Sequence, residues 1–111
     1  MDISIRNLKR CDVIQVSGRV DHASSPKLRD ALISITDKKR YKIVVDMENV
    51  NFLSSRGLHA LIYSNKECKR YNRGELVLSN ITEEIKYTLD LAGVITYFKV
   101  YDDLVSAVGS F

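Results

Sequence analysis

The stretch Tyr41–Tyr71 reads YKIVVDMENVNFLSSRGLHALIYSNKECKRY, and its two halves carry different periods. Ile43-Val44-Val45 is a short apolar run of β-branched residues, which predicts one buried strand. Asp46 to Leu53 reads as a link. From there Leu58, Leu61, Ile62, Asn65 and Cys68 recur at three- and four-residue steps, the spacing of one helical face. Ser54-Ser55-Arg56-Gly57 falls where the link becomes the helix. Ser54 is a natural N-cap, because its hydroxyl can accept from an unpaired backbone N–H of the first turn. Ser55 then stands at the first helical position, exposed beside amide donors and the positive end of the helix dipole. The same groups favour a phosphate there. Both serines are equally compatible with capping alone.

Upstream, Ile3 and Ile5 alternate with polar residues as in an edge strand, and Val13, Ile14 and Val16 form a clearer one. Arg10-Cys11-Asp12 is the expected hairpin turn, and Gly18 the expected strand end. Asp21 to Ser25 reads as a loop and helix start, with Ser24 or Ser25 as cap and Pro26 in the first turn. Leu28, Ala31, Leu32 and Ile35 give the helical face. Asp37 to Lys42 is polar and basic, a solvated link. Downstream, Asn72-Arg73-Gly74 predicts a helix stop with Gly74 at the left-handed position. Leu76-Val77-Leu78 predicts a buried strand. Asn80 or Thr82 can cap a helix with Ile85, Leu89 and Ala92 on its face, which Gly93 ends. Tyr97–Tyr101 predicts a last strand, and Asp102-Asp103 open a helix carrying Leu104, Val105 and Val108.

The order is strand, strand, helix, then strand and helix alternating three times. It predicts an α/β fold: a mixed, largely parallel sheet with about four helices packed on it. Right-handed crossovers place the strand C-termini and helix N-termini on one rim, so the loops at Asp21 and Ser54–Ser55 should be neighbours.

The 111 residues fit one compact domain. A composition 45% hydrophobic and 28% charged is that of a soluble globular chain. The formal charge of +3 permits an acidic partner without demanding nucleic acid. Cys11 and Cys68 form no metal or redox motif and read as reduced core residues. No h-region opens the chain, and no apolar stretch approaches the ~18 residues a membrane span requires. The expected location is the cytoplasm, without membrane insertion. No cofactor or metal site is expected. There is no Gly-rich phosphate cradle, no G-x-S-x-G elbow, and no acidic pair to join Asp46 in a phospho-aspartate site. His22 with Asp21 is a poor base and orienter for Ser55, so no enzyme is expected. Lys66, Lys69, Arg70 and Arg73 read as one stripe, either a solvated face or a docking patch for an acidic partner. With Tyr71 as the one aromatic among them, nucleic-acid binding is not expected.

Three segments carry a family resemblance. Gly18-Arg19-Val20-Asp21-His22 resembles the G-x-(L/V)-D-H segment of the STAS domain of bacterial anti-sigma factor antagonists. Asn51-Phe52-Leu53-Ser54-Ser55-Arg56-Gly57-Leu58 is similar to its F-M-D-S-(S/T)-G-L segment. Leu89-Asp90-Leu91-Ala92-Gly93-Val94 resembles its F-D-M-S-G-L turn. The resemblance covers nearly all of residues 1–111, read as a single STAS domain. It implies a protein-binding switch: the unmodified antagonist binds an anti-sigma factor that is also a serine kinase, phosphorylation releases it, and a PP2C-type phosphatase resets it. The matching serine is Ser55. The implied partner surface is Asp21, His22, Ser24, Ser54, Ser55, Arg56, Gly57 and Leu58. Ser54 stands where the family has Asp, and Arg56 where it has Ser or Thr; Ser54 is an alternative phosphate acceptor. A STAS scaffold subunit without phosphorylation, in a signalling or transporter-associated assembly, is the other reading these departures suggest.

Overall fold

A computed structural model describes residues 1–111, the side chain of Tyr71 excepted. Strand β1 (Asp2–Asn7) turns into β2 (Asp12–Val20), followed by helix α1 (Ser25–Thr36), β3 (Lys42–Leu53), α2 (Ser55–Lys69), β4 (Glu75–Ser79), α3 (Glu83–Leu91), β5 (Val100–Tyr101) and α4 (Leu104–Gly109). The sheet order is β1-β2-β3-β4-β5. Only β1 runs antiparallel to its neighbour. This is the mixed, largely parallel sheet that the alternation predicts.

The apolar residues divide between the two sheet faces. Ile14, Val45 and Leu78 join Leu28 and Leu32 of α1, Leu61 and Cys68 of α2, and Ile85 and Leu89 of α3 in the larger core. Val13, Val44 and Val77, the alternate residues of the same strands, pack with Cys11 against Ala107 of α4. The period of two thus sends successive side chains to opposite covers.

Several expectations are corrected. Asp46–Leu53 is strand, not link: β3 spans twelve residues against nine for β2. Two of the three surplus residues are absorbed at register shifts, where Gln15–Ser17 faces Asp46–Asn49 and Gly18–Arg19 faces Val50–Phe52; the third, Lys42, pairs with Glu75 of β4. Each shift resets which side chains point inward. Met47, Val50 and Leu53 are therefore all buried, although three apart. Gly18 does not end β2; it sits inside the strand at φ +92°, beside a shift, in a conformation that favours glycine. The hairpin turn is Leu8–Cys11, closed by Leu8 N–H donating to the Cys11 carbonyl at 2.9 Å. After α2 the left-handed residue is Asn72, at φ 57°. Gly74 is needed for another reason: a Cβ there would run into the Tyr41 carbonyl. The last strand is only two residues long, because Ile95–Tyr97 forms a single 3-10 turn. Val105 is 82% exposed; Ala107 is the buried residue of α4. Ala92 is exposed at the end of α3. Of the two candidate caps for α3, Thr82 accepts from Ile85 N–H at 3.2 Å. Asn80 instead donates to the Asp46 carboxylate.

The basic stripe is broken up. Helix α2 stops at Lys69, and Arg70 begins a 3-10 turn. Lys69 lies 3.7 Å from Glu75, Arg70 lies 3.6 Å from Glu67, and Arg73 donates to the Tyr41 hydroxyl. Both cysteines are free and buried.

Candidate functional site

The β2 and β3 strands run parallel and end side by side, with Arg19 opposite Phe52 and Val20 opposite Leu53. The ladder continues one step past the strands: Ser54 N–H donates to the Val20 carbonyl at 2.8 Å. The loop bearing Asp21 and the start of α2 are therefore adjacent, as right-handed crossovers predict.

Ser54 is the N-cap of α2. Its extended backbone (φ −77°, ψ 168°) aims the hydroxyl back into the first turn, where it accepts from Gly57 N–H at 3.2 Å. Ser55 follows as the first helical residue, exposed, and its hydroxyl has no hydrogen-bond partner among the described residues. Arg56 is exposed beside it. Gly57 and Leu58 turn inward. Leu58 is only 7% exposed and packs in the larger core. A Cβ on Gly57 would lie 2.6 Å from Val20 Cγ1 and 2.8 Å from Leu53 Cδ1. These two residues, expected on the partner surface, shape the rim from beneath. They seat the helix directly on the strand ends.

On the neighbouring loop Asp21 and Ser24 form a closed ring. Asp21 N–H donates to Ser24 Oγ, and Ser24 N–H donates to Asp21 Oδ1, each at 2.9 Å. The Ser24 hydroxyl lies 2.9 Å from both the Arg19 carbonyl and Asp21 Oδ1, so its one proton is shared between two acceptors. The Ser24 N–H, then its hydroxyl, holds the Asp21 carboxyl below the usual carboxylate range. Neither sequence-predicted cap binds the first turn of α1. Ser24 faces back to Asp21, and the buried Ser25 donates to the His22 carbonyl at 3.2 Å. His22 itself is exposed.

Two rim residues escaped the sequence reading. The Arg19 guanidinium lies 4.3 Å from the centre of the Phe52 ring, and Phe52 is 39% exposed. Had β3 been read through to Leu53, alternation would have turned Phe52 outward against the buried Leu53.

Among the described residues, no base stands beside the Ser55 hydroxyl. A catalytic serine needs a base on its hydroxyl, but Asp21 is turned to Ser24 and no histidine bonds Ser55 among the described residues. Within those residues no three His, Cys, Asp or Glu gather as a metal site, and no helix is long and apolar enough to cross a membrane.

Fold and rim together define a small α/β module with a helix tip and an adjoining loop side by side at the ends of β2 and β3. Residues 2–107 match the family model of the STAS domain, and the chain belongs to that family. It is 25% identical over 96 residues to BtrV of Bordetella bronchiseptica, which carries the provisional name of anti-sigma factor antagonist. That match covers 86% of this chain and 82% of the relative. The crystal structure of an anti-sigma factor antagonist from Mycobacterium paratuberculosis superposes with a TM-score of 0.87 at 22% identity, covering 98% of this chain and 92% of that one. The anti-sigma factor antagonist SpoIIAA of Bacillus has been solved unphosphorylated and phosphorylated. Its phosphorylated form superposes with a TM-score of 0.75 at 15% identity over 98% of each chain.

Proposed function

We propose that this STAS domain is an anti-sigma factor antagonist that binds a kinase-type anti-sigma factor through the rim and lets go when Ser55 is phosphorylated. The observation that carries the reading is the contrast between the two serines: Ser54 is committed to capping α2, while Ser55 is exposed with its hydroxyl unengaged. Asp21, His22, Ser24, Ser54, Ser55 and Arg56 form the docking surface, with Gly57 and Leu58 supporting it from below. A phosphoserine adds about −1.5 to −2 charges. At the first position of a fifteen-residue helix that charge meets the positive dipole end, so the fold tolerates it. Beneath a docked partner the same charge must be desolvated, and the complex comes apart. Release needs no refolding. A PP2C-type phosphatase completes the cycle in the cytoplasm.

The test pairs mass with affinity. Incubation with the cognate anti-sigma kinase and ATP should add one phosphate, and Ser55→Ala should abolish it. Ser55→Asp should weaken the complex by about tenfold or more. An unmodified wild-type chain, or a Ser55→Asp variant that binds like wild type, removes the switch. The departures at Ser54 and Arg56 favour a second reading, a scaffold that binds without being phosphorylated. It gains if the complex forms while Ser55 stays unmodified.

A further inference from the structure

Beside the rim, the first turns of α1 and α2 part to leave an open groove of about 300 Å³. Pro26 and Arg29 line one wall; Arg56, His59, Ala60 and Tyr63 line the other. The α2 residues fall at helical steps of three, one and three, so they form a single stripe running from the Ser55 end of the helix. The floor is apolar, with Ala60 buried and Pro26 half-buried. Tyr63 is 55% exposed, a large ring with about half its surface open to solvent. The walls are cationic. Arg29 and Arg56 contribute two guanidinium groups, and no carboxylate lines the groove. Arg29 touches Asp30 at 3.3 Å, but both side chains are largely exposed, and such pairs hold weakly in water.

We infer that this groove is the part of the docking surface that takes an acidic segment of the anti-sigma factor, one that lays an aliphatic side chain against Tyr63 and Ala60 while its carboxylates meet Arg29 and Arg56. The inference rests on the antagonist reading and names the chemistry of the partner. Charge complementarity selects the occupant: two arginines in a groove that no carboxylate lines, one of them held only by an exposed neighbouring Asp30, call for carboxylates, and guanidinium forks bind them in pairs. It also gives Arg56 a task where the family motif has Ser or Thr. The switch follows from the same charges. Ser55 precedes Arg56 directly and lies one turn from His59 on the same helix, so a phosphate there neutralises the mouth of the groove and repels an acidic segment.

The experiment titrates the anti-sigma factors encoded in the same genome, each purified, against the wild-type chain and four variants by calorimetry. The double variant Arg29→Glu/Arg56→Glu should raise Kd by about tenfold or more. Arg29→Gln/Arg56→Gln, which keeps much of each stem without the charge, should weaken binding less but measurably. Tyr63→Ser should weaken it severalfold. Lys86→Glu, exposed on α3 outside the groove, should stay within about twofold, and wild-type affinity should fall as salt rises. A photo-crosslinker at position 63 should map to an acidic stretch of the anti-sigma factor. If wild type binds and the double variants bind equally well, the groove is not the site and the antagonist reading stands. Crosslinks to a second copy of the chain, or to a neutral or basic stretch, overturn the inference in the same way. If wild type binds no anti-sigma factor, the antagonist reading and the groove fall together.

Discussion

Ser54 and Ser55 carry the same side chain one residue apart, and the start of a helix divides their work. Ser54 spends its hydroxyl on Gly57 N–H; Ser55 spends its on nothing among the described residues. Gly57 supports both by letting α2 sit on Val20 and Leu53 at distances a Cβ cannot share. The three positions should therefore rank sharply when each is changed to alanine. Gly57→Ala overpacks the junction and should cost about 1–3 kcal/mol. Ser54→Ala loses the cap and should cost about 1 kcal/mol. Ser55→Ala removes an exposed, unbonded hydroxyl and should stay within about 0.5 kcal/mol. Urea unfolding midpoints measure all three. A Ser55→Ala chain as damaged as Ser54→Ala would mean that Ser55 holds the fold together, and its exposure would lose its meaning as a switch.

At the scale of elements, the opening hairpin is held by a residue from far along the chain. Asp12 is 1% exposed at the start of β2. Arg40 reaches it across 28 residues, with Nη2 at 2.8 Å and Nε at 3.1 Å from Oδ1. Nη2 also donates to the Leu8 carbonyl at 2.6 Å, which ties down the turn itself. Arg40→Met leaves the Asp12 carboxylate buried without its cation. Screening at the partly exposed guanidinium lessens the loss, and about 2–3 kcal/mol of stability should go. Amide exchange should show β1 opening before β3. Uniform loss across the sheet would mean that Arg40 does not act through the hairpin.

That clamp marks where the sequence stopped being legible. In one dimension Arg40 belongs to a basic polar run, and nothing in its neighbours indicates a buried carboxylate far upstream. The alternation of strands and helices was readable because the helices and the buried centres of the strands have clean periods, and so was the meeting of the Asp21 loop with Ser54. The length of β3 was hidden because two register shifts break the period of two over Asp46–Leu53. Phe52 was lost from the site with it. Gly57 and Leu58 enter the implied partner surface because a motif does not say which of its residues face inward, although the helical spacing already sets Leu58 on the apolar face that the structure buries. The α1–α2 groove joins Pro26 and Arg29 to Arg56 and Tyr63, and only tertiary packing brings those together.

For the whole molecule, the consequence is an unequal sandwich. Three helices cover one face of the sheet, while the other is covered by α4, six residues long. So short a helix has little stability of its own, and it is held by its packing and by Asp103 accepting from Ser106 N–H at 2.7 Å. The two cysteines report on the two faces separately. Burial pushes the Cys68 thiol up to about 12, within the larger core. Burial chiefly, with the Asp12 carboxylate adding to it, also raises Cys11, which packs against α4's Ala107. Thiolate is the reactive form, so both should resist alkylation until local opening exposes them. Lifting α4 uncovers Cys11 and leaves the three-helix face shut, whereas Cys68 waits for a larger opening. Peptide-resolved alkylation in native buffer should therefore label Cys11 well before Cys68. Asp103→Ala, which removes the α4 cap, should speed labelling of Cys11 and leave Cys68 unchanged. The rim lies at the ends of β2 and β3 and the start of α2, all part of the larger core, so an α4 that opens should leave partner binding intact. Equal labelling rates at the two cysteines, or a binding defect in Asp103→Ala, would show that the faces open only together.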